Sequence, residues 1–274
     1  MTTPFEHITS TANDTVKLLK SLNAKKARAE TGLFLAEGAR LVEEAMVHGW
    51  SPAYVLAGSD AASRPRTADL LARLKKAGAR VLTASEKVLV SVSRKDNPQT
   101  LIAAFRQKLS RLADLDAAGP RRWVALYEVR DPGNLGTIVR TADASGVDGV
   151  ILVGQCCDPF SVEAVRATMG SLFAMKLATA DFATFDAWRR KAGARVVAAS
   201  MHGKQRHDRA DYGDRSIVLM GNEQAGLPAD VEATCDELVR IPMNGAADSL
   251  NLAAAAAVMI YEVWRGRGYN GSDQ

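Results

Sequence analysis

Asn134 and Arg140 lie six residues apart in "DPGNLGTIVRTADASG", residues 131–146, directly after an apolar segment. The Asn134 side chain is able to cap the helix that the pattern predicts here. An arginine in the second turn of that helix offers a planar fork that binds phosphate. Alternatively, Arg140 pairs with Asp143 on a solvated helix face. The stretch therefore predicts either an anion-binding site or a plain charged surface.

A second candidate loop is "VLMGNEQAGLP", residues 218–228. An apolar strand-like segment runs into Gly221, and Glu223 places a carboxylate just after it. A glycine at this point would allow an adenine or a ribose to lie against bare backbone. The alternative is a tight turn that carries a solvated glutamate.

A third candidate is "IPMNGAADSLNLAAAAA", residues 241–257. Its Asn-Gly pair indicates a turn. Ser249 or Asp248 is expected to be the N-cap of a helix predicted over residues 250–266. Asn251 is then left beside the free backbone donors of the first helical turn. One cap accounts for one polar residue, so the surplus indicates ligand binding, unless Asp248 and Asn251 are simply solvated.

The segments between these loops alternate between strand-like and helical patterns. Five strands are predicted in "WVALYEV", "GVILVG", "RVVAAS", "SIVLMG" and "ELVRIP". Helices are predicted between them over residues 135–144, 161–172 and 182–191. Apolar strands with helical crossovers predict a parallel sheet that is covered on both faces. Ligands bind beyond the carboxyl ends of such strands, so the three loops are expected to meet at one edge.

Composition limits the class of protein. The chain has 274 residues, 47% of them hydrophobic, which suits one or two globular domains. The longest apolar run, residues 252–261, is too short to cross a bilayer, and the first residues lack a signal-peptide pattern. Cys156, Cys157 and Cys235 show neither a disulfide framework nor zinc-ligand spacing. We expect a reduced, cytoplasmic protein without a membrane segment or a metal.

Charge is unevenly distributed along the chain. Residues 1–110 contain 17 Lys and Arg against 10 Asp and Glu, whereas residues 111–274 contain 18 against 21. The basic first part indicates contact with a polyanion, although a well-solvated surface would have the same composition. A charged stretch ending in Gly-Pro predicts a small α/β domain over residues 1–107, a linker over 108–121 and a second α/β domain over 122–274.

The first domain begins with a basic amphipathic pattern. The stretch "NDTVKLLKSLNAKKAR" has apolar residues at helical spacing and a basic remainder. After it, the segments "GLFLAEG", "PAYVLAG", "ARVLTAS" and "TLIAAFR" read as strands with helical patterns between the first three. The cations of the first stretch are expected to form a stripe beside its apolar face: Lys17, Lys20, Lys25, Lys26 and Arg28.

Together, the three loops resemble the three motifs of the SpoU-type RNA ribose methyltransferases, a family of the knotted SPOUT class. Asn134 and Arg140 in "NLGTIVRTADASGVDGV" match the first motif, "GNEQAGL" the second and "IPMNGAADSLNLAAAAA" the third. The order is the same, and the resemblance covers residues 123 to about 266. Residues 13–105 resemble the substrate-binding domain that often precedes this catalytic domain, in "LLKSLNAKKARAETGLFLAEGARLVEEA" and "DNPQTLIAAF". Thr100 stands where such domains often have glycine.

The resemblance implies S-adenosylmethionine-dependent methylation of a ribose 2′-hydroxyl in rRNA or tRNA, with no role for DNA. It implies a deep trefoil knot in the second domain and a homodimer formed through that domain. The catalytic residues that it implies are Asn134, Arg140, Glu223, Ser249 and Asn251. Cofactor contacts, mostly through backbone, are implied for Leu219, Met220, Gly221, Ile241, Met243 and Leu250.

The RNA itself is expected to bind mainly to the basic first domain. The five cations of its first stretch are the candidate contacts, so affinity should fall steeply with salt. Isolated residues 1–107 are expected to retain some binding. The loop "MHGKQRHDRADYGD", residues 201–214, contains His202 and His207 and is predicted to be a surface loop.

The chemistry requires a group that handles the hydroxyl proton, because a ribose hydroxyl is a poor nucleophile at neutral pH. The resemblance assigns that task to Arg140, although an ordinary guanidinium stays protonated. We therefore expect Arg140 to hold the hydroxyl and a neighbouring phosphate and to stabilise developing alkoxide charge. A role as free base stays open.

Three other functions fit parts of the pattern. A non-catalytic RNA-binding protein or ribosome assembly factor would keep the basic domain but lose motif residues, whereas all five polar motif positions are present. A related methyltransferase would modify a base instead of a ribose. A Rossmann-type nucleotide enzyme would need a G-x-G-x-x-G fingerprint, which this sequence lacks.

Overall fold

The computed structural model of the chain describes residues 5–115 and 119–271. Of the predicted linker, residues 116–118 lie outside this described part. No helix in the described residues is long and apolar enough to cross a membrane.

The chain forms two compact units that do not follow the sequence linearly. The first unit comprises Met1–Gln107 together with Asp158–Ala174, and the second comprises Lys108–Cys157 together with Met175–Gln274. We call Asp158–Ala174 the docked segment, because it packs in the first unit although the chain on both sides of it belongs to the second. The linear division of the domains stays a prediction.

The first unit contains a five-stranded mixed sheet in the order β1-β4-β3-β5-β2. β1, β4 and β3 are parallel, and β5 is antiparallel to both of its neighbours. Thr100, at the position where glycine is common, does not have a positive φ, and its carbonyl accepts the Gly58 amide at 2.8 Å. The elements are β1 (Glu6–Ile8), α1 (Asp14–Ser21), α2 (Lys25–Thr31), β2 (Leu33–Glu37), α3 (Ala39–Val47), β3 (Pro52–Gly58), α4 (Ser59–Ala62), α5 (Pro65–Lys76), β4 (Arg80–Ala84), α6 (Glu86–Ser93) and β5 (Leu101–Arg106).

The first basic stretch, whose apolar residues recur at helical spacing, forms two helices, α1 and α2. Asn13 caps α1, because its side chain accepts the Thr15 amide at 2.9 Å. The break follows at Asn23, whose side-chain amide donates to the carbonyls of Lys20 at 3.1 Å and Val92 at 2.8 Å. A side chain that bonds to nearby backbone in this way competes with helix continuation.

The docked segment is held in the first unit by aromatic packing. The rings of Phe34 and Phe160 lie 4.9 Å apart between centroids, and those of Trp50 and Phe173 lie 5.2 Å apart. The Trp50 indole N–H also donates to the Phe173 carbonyl at 3.0 Å. These contacts bury apolar rings that would otherwise face water.

The predicted helix over residues 161–172 is wrong, because the segment is broken into α8 (Val162–Ala167) and α9 (Ser171–Ala174). Met169 and Gly170 between them have positive φ angles of 53° and 111°. A Cβ on Gly170 would lie 2.8 Å from Glu44 Cγ, so close packing against α3 requires a glycine here.

The second unit confirms the predicted parallel sheet. Its seven strands have the order β10-β12-β9-β11-β6-β7-β8, and all neighbouring pairs are parallel. The elements are β6 (Arg121–Tyr127), α7 (Pro132–Ala144), β7 (Gly149–Val153), β8 (Leu177–Ala180), α10 (Phe182–Lys191), β9 (Arg195–Ala199), β10 (Gln205–Arg206), β11 (Arg215–Met220), α11 (Ala229–Glu232), β12 (Glu237–Arg240) and α12 (Leu252–Gly266), with short 3-10 turns at Leu112–Asp114 and His207–Arg209.

Helices cover both faces of this sheet. α7 and α12 pack against each other, with α12 against β11. Phe185 of α10 packs on the other face with Trp123 and Ile217. Because β6, β11, β9 and β12 are parallel neighbours, the loops that follow them meet at one edge, which we call the carboxyl edge.

The chain passes very close to itself near this edge. A Cβ on Gly203 would lie 2.4 Å from the backbone carbon of Val239, so only glycine fits beside β12. Arg240 Nη1 then donates to the carbonyls of Gly203 and Lys204, both at 3.1 Å. The trefoil knot that the resemblance implies stays a prediction.

Candidate active site

The loop after β11 is a closed turn. The Asn222 and Gly226 backbones exchange hydrogen bonds of 2.9 and 3.0 Å, and Asn222 Oδ1 accepts the Gln224 amide at 3.0 Å. A Cβ on Gly221 would lie 2.4 Å from the Gly226 backbone carbon. Gly221 is therefore explained by the approach of its own loop, and the side where a Cβ would stand is not open to an adenine or a ribose.

This turn aims the Glu223 carboxylate at the loop after β6. Glu223 Oε2 accepts the Arg130 amide at 3.1 Å, and Oε1 accepts the Asp131 amide at 3.0 Å and Asn134 Nδ2 at 3.3 Å. Burial disfavours the charged carboxylate, but these hydrogen bonds outweigh it and lower the pKa of Glu223. Glu223 is therefore a fixed anion, and a freely solvated glutamate is excluded.

Asp131, not Asn134, caps α7. Asp131 Oδ1 accepts the Asn134 backbone amide at 2.6 Å, and Pro132 occupies the first helical position, where its missing N–H is harmless. The prediction that Asn134 is the cap is therefore wrong. The Asn134 side chain remains free to bond elsewhere.

Asn251, not Ser249 or Asp248, caps α12. Asn251 Oδ1 accepts the amides of Ala253 at 2.9 Å and Ala254 at 3.4 Å. Asn251 Nδ2 points the other way and donates to Asn134 Oδ1 at 3.0 Å. The predicted cap is wrong, and the residue that sequence reasoning left over performs two tasks at once.

Glu223, Asn134 and Asn251 thus form a chain of hydrogen bonds in which every donor lies on the Asn251 side and every acceptor on the Glu223 side. A carboxylate only accepts and a backbone N–H only donates, so the two ends dictate the orientation of both amides between them. This chain of bonds ties the loops after β6, β11 and β12 to one another. The arrangement holds polar groups in place before any substrate binds.

Arg140 lies exposed on α7, one and a half helical turns beyond Asn134. Within residues 5–115 and 119–271, no hydrogen bond or ion pair engages its side chain, so the alternative pairing with Asp143 does not form. Ser249 is also exposed, and its hydroxyl donates to Asp248 Oδ1 at 3.1 Å. Neither Arg140 nor Ser249 contacts the chain of hydrogen bonds.

The predicted cofactor residues fall into two groups. The side chains of Leu219 and Met220 are buried in the sheet, so only their backbone could contact a ligand. Ile241 is half-buried, whereas Met243 and Leu250 are 39% and 42% exposed. Between described residues, the peptide groups of 243–250 form no backbone–backbone hydrogen bond. Free peptide groups beside exposed apolar side chains fit the amine, ribose and adenine of S-adenosylmethionine.

Sequence reasoning missed the loop after β9. Glu232 accepts the Ser200 hydroxyl at 2.5 Å and contacts His202 Nδ1 at 3.1 Å. β9 lies between β11 and β12, so this loop belongs to the carboxyl edge. Strand order was the missing information, since no spacing in the sequence places β9 between those two strands. It also missed Asp131, whose signal is the proline that follows it at the first helical position, and Asn222, whose signal is the turn preference of Asn.

The candidate RNA contacts of the first unit separate into two environments. The exposed members are Lys17, Lys20, Lys25 and Lys26. Arg28 is 3% exposed, and its guanidinium bonds to Asp158 at 2.7 and 2.8 Å and to the Leu22 carbonyl at 2.8 Å. This corrects the predicted stripe, because Arg28 faces inward to the docked segment and has no surface to offer RNA.

Comparisons with known proteins agree with this architecture. Residues 121–261 match the SpoU rRNA Methylase family, and residues 13–103 match the MRM3-like substrate binding domain. An AdoMet-bound rRNA methyltransferase from Sinorhizobium meliloti superposes with a TM-score of 0.89 at 44% identity, covering 96% of this chain and 98% of that one.

Two curated relatives match over most of their length. A 23S rRNA (guanosine(2553)-2′-O)-methyltransferase, RlmP of Bacillus subtilis, is 31% identical over 94% of this chain and 99% of its own. A 23S rRNA (uridine(2479)-2′-O)-methyltransferase of Streptomyces viridochromogenes is 29% identical over 90% of this chain and 87% of its own.

The parallel sheet and its superposition on a solved rRNA methyltransferase define the fold of a SPOUT methyltransferase. More specifically, the chain belongs to the SpoU rRNA methylase family.

Proposed function

We propose that this protein transfers a methyl group from S-adenosylmethionine to a ribose 2′-hydroxyl of ribosomal RNA. The observation that carries this function is the chain of hydrogen bonds from Asn251 through Asn134 to Glu223, with Arg140 on the same helix as Asn134 and without a partner among the described residues. Membership of the SpoU family supports the reaction, and the AdoMet-bound relative supports the cofactor.

The reaction needs an oxygen nucleophile, an aligned methyl group and a place for the hydroxyl proton. S-adenosylmethionine supplies an electrophilic methyl whose bond to sulfur breaks as the new bond to oxygen forms. Arg140 donates to the 2′-oxygen and stabilises the negative charge that grows there, while the hydroxyl proton passes to solvent water and the sulfur leaves as the neutral thioether. A donor aimed at this oxygen lowers the barrier because its bond is stronger in the transition state, where the charge is larger, than in the ground state.

The remaining polar residues orient these groups. Glu223 and Asn251 fix the Asn134 amide from both sides, so Asn134 presents a rigid surface to the ribose. The exposed Ser249 hydroxyl donates to Asp248, and its oxygen is available to accept from the substrate. Backbone groups of Leu219, Met220 and Gly221 and of the third loop at Ile241, Met243 and Leu250 hold the cofactor.

RNA recognition belongs mainly to the first unit. Lys20 and Lys25 are exposed on α1 and α2, with Lys17 and Lys26 beside surface carboxylates that a phosphate can replace. We leave Arg28 out of this surface. The named relatives act on 23S rRNA, so 23S rRNA is the first substrate to test.

A homodimer formed through the second unit and a cytoplasmic location complete the proposal. Leu250 and Tyr261, at the start and middle of the α12 region, are 42% and 41% exposed. A second copy would bury these apolar side chains.

Ribosomal RNA is modified where ribosomes are assembled, which is why we assign the protein to the cytoplasm.

The test uses purified full-length protein, methyl-labelled S-adenosylmethionine and unmodified 23S rRNA, 16S rRNA and tRNA, followed by nucleoside identification. A 2′-O-methylated nucleoside in one RNA is the expected result. A labelled base would overturn the ribose assignment. Cofactor binding without label in any RNA would overturn the proposal that free RNA is the substrate, and absence of cofactor binding would favour a non-catalytic RNA-binding protein.

A further inference from the structure

Arg130 is a cation at the carboxyl edge whose side chain has no role in the mechanism above. Its backbone N–H donates to Glu223 Oε2 at 3.1 Å, so its Cα adjoins the proposed catalytic carboxylate. The side chain itself is 60% exposed. The backbone of Arg130 is therefore fixed by the site, while its guanidinium projects into solvent beside it.

The turn that sets this position is strained. Glu128 has a φ of 50°, a conformation that residues other than glycine rarely adopt. Its amide donates to the Val153 carbonyl at 3.0 Å, and its carbonyl accepts Asn222 Nδ2 at 2.8 Å. Strained backbone persists where its surroundings enforce it, and it is concentrated at functional sites. Neighbouring loops thus determine where the chain places Arg130.

The side chain of Arg130 is held only loosely. Arg130 Nη2 contacts Glu128 Oε2 at 3.3 Å, and the Glu128 side chain is 35% exposed. Ion pairs between exposed groups contribute between 0 and about 1 kcal/mol. A phosphate group with two oxygens for the guanidinium fork is a stronger partner, so it can replace this carboxylate.

The RNA substrate also has more anionic groups near the target ribose than Arg140 alone can bind. A nucleotide within an RNA chain has a phosphate on each side of its ribose. Arg140 is expected to hold the 2′-oxygen and one of these phosphates, so the other phosphate needs a separate cation. Glu128 and Asp131 lie close to Arg130 along this loop, and their carboxylates would repel a phosphate that had no cation beside it. Arg130 lies between them in the chain and supplies such a cation.

We propose that Arg130 binds a phosphate of the substrate RNA beside the target ribose, and that Glu128 holds Arg130 until the phosphate replaces it. This inference rests on the proposed function. It predicts that Arg130 governs RNA binding rather than the chemical step, and that Glu128 opposes it.

The experiment measures methylation of unmodified 23S rRNA, transcribed in vitro, by the full-length protein. Arg130→Ala removes the guanidinium but keeps the backbone N–H that donates to Glu223. We expect the apparent KM for RNA to rise about tenfold, since a hydrogen bond to a charged group contributes about 1.5 kcal/mol or more. We expect kcat and S-adenosylmethionine binding to change less than about twofold, and the salt slope of RNA affinity to fall by about one.

Arg190 provides a matched control. Its side chain is also 60% exposed and pairs with a carboxylate, Asp186, at 2.9 Å. It lies in the last turn of α10, which precedes β9 and is therefore at the opposite edge of the sheet. Arg190→Ala should leave the KM, kcat and salt slope unchanged.

Glu128→Gln gives the opposite sign, because it keeps the side-chain shape but removes the competing charge. We expect the KM to fall about threefold, in line with the strength of an exposed ion pair. In the double variant with Arg130→Ala, the Glu128→Gln effect should disappear, since the two act through one contact.

Wild-type KM and salt slope in Arg130→Ala would overturn the inference, as would an unchanged KM in Glu128→Gln. If Arg130→Ala does not fold, the KM of Glu128→Gln for RNA alone decides whether Glu128 competes with a phosphate for Arg130. Absence of methylation by the wild-type protein would instead contradict the proposed function, so the two failures are distinguishable.

Discussion

The docked segment of the first unit and the carboxyl edge of the second unit both contain arginines and carboxylates, but they use them differently. At the docked segment, Arg28 is buried with Asp158, and Glu37 bonds to both Lys95 and Arg166. At the carboxyl edge, the carboxylate of Glu223 bonds to amides, and Arg140 is exposed without a partner in the described residues.

The difference separates stability from function. A buried ion pair has already exchanged water for its partner, so its charges cannot bind anything else without breaking the fold. An exposed arginine beside a rigid polar chain retains its capacity to bind. Substitutions of the buried pair at the docked segment should therefore change stability, and substitutions of the exposed arginines at the carboxyl edge should change RNA binding or turnover.

Arg140→Ala gives the largest expected effect. Removing a donor that stabilises developing oxyanion charge lowers kcat by roughly 10²–10³-fold in comparable sites. Because Arg140 is exposed and unpaired among the described residues, the urea midpoint of unfolding and S-adenosylmethionine binding should stay unchanged. Methylation assays, denaturation and calorimetry measure the three quantities.

The control is Asp143→Asn on the same helix, which should retain wild-type kcat. Turnover of Arg140→Ala close to wild type would remove Arg140 from the mechanism. A large loss of stability would mean that the two regions do not differ as described.

Arg28→Met tests the buried ion pair at the docked segment, the other region of the comparison. It leaves the Asp158 carboxylate, whose side chain is 13% exposed, without its cation. Breaking a buried pair on one side costs about 3–5 kcal/mol of folding free energy. We expect a clear fall in the urea midpoint, with kcat unchanged under conditions where the variant is folded.

The double variant Arg28→Met/Asp158→Leu refines this result, since it replaces the pair by apolar side chains and should recover most of the lost stability. A single variant as stable as wild type would show that Arg28 is not buried in solution. It would also return Arg28 to the candidate RNA contacts.

The same comparison shows which features of the fold and the site the sequence alone could predict. The parallel sheet, the three loops and the family were predictable because strand periodicity and motif residues are local signals. The burial of Arg28 was not predictable. Its partner Asp158 is 130 residues away and belongs to a segment that the sequence assigns to the other domain. Periodicity on α2 could only show that Arg28 lies near the apolar face.

The predictions of the two helix caps were also wrong. Pro132 at the first helical position favours Asp131 over Asn134, a local signal that the prediction overlooked. Ser249 and Asn251 are both chemically suitable caps, so local preference could not choose between them. The bonds from the Asn134 side chain to Glu223 and Asn251 were not predictable, because only the strand order brings these loops together.

Isolated residues 1–107 are also a poor test of RNA binding. That fragment lacks Phe160 and Phe173 of the docked segment, which pack on Phe34 and Trp50. Those rings would be exposed, so RNA affinity is better measured on the full chain.

Glu223→Gln tests whether the carboxyl edge depends on charge. Hydrogen bonds lower the pKa of Glu223, so its ionised form stabilises the fold above its unfolded pKa of about 4.5, and this contribution is lost as pH falls through the folded pKa. At pH 7 the variant should be less stable by about 1–3 kcal/mol, because an amide cannot accept on both sides.

Denaturation of both proteins between pH 7 and pH 3 measures this difference. The gap should narrow as pH falls below 4.5, since protonated Glu223 loses the same interaction. A gap independent of pH would mean that shape, not charge, holds the loops together.

Lys25→Ala/Lys26→Ala gives the smallest expected effect and tests whether the first unit also has a region left free for binding. Both lysines are exposed, so stability should not change, whereas RNA affinity should fall and its salt slope should flatten by about two. Lys75→Ala/Lys76→Ala removes the same charge from another exposed helix of this unit and serves as the control. Equal losses in both variants would indicate nonspecific attraction to a basic unit, and a loss confined to the first would locate the RNA along α2.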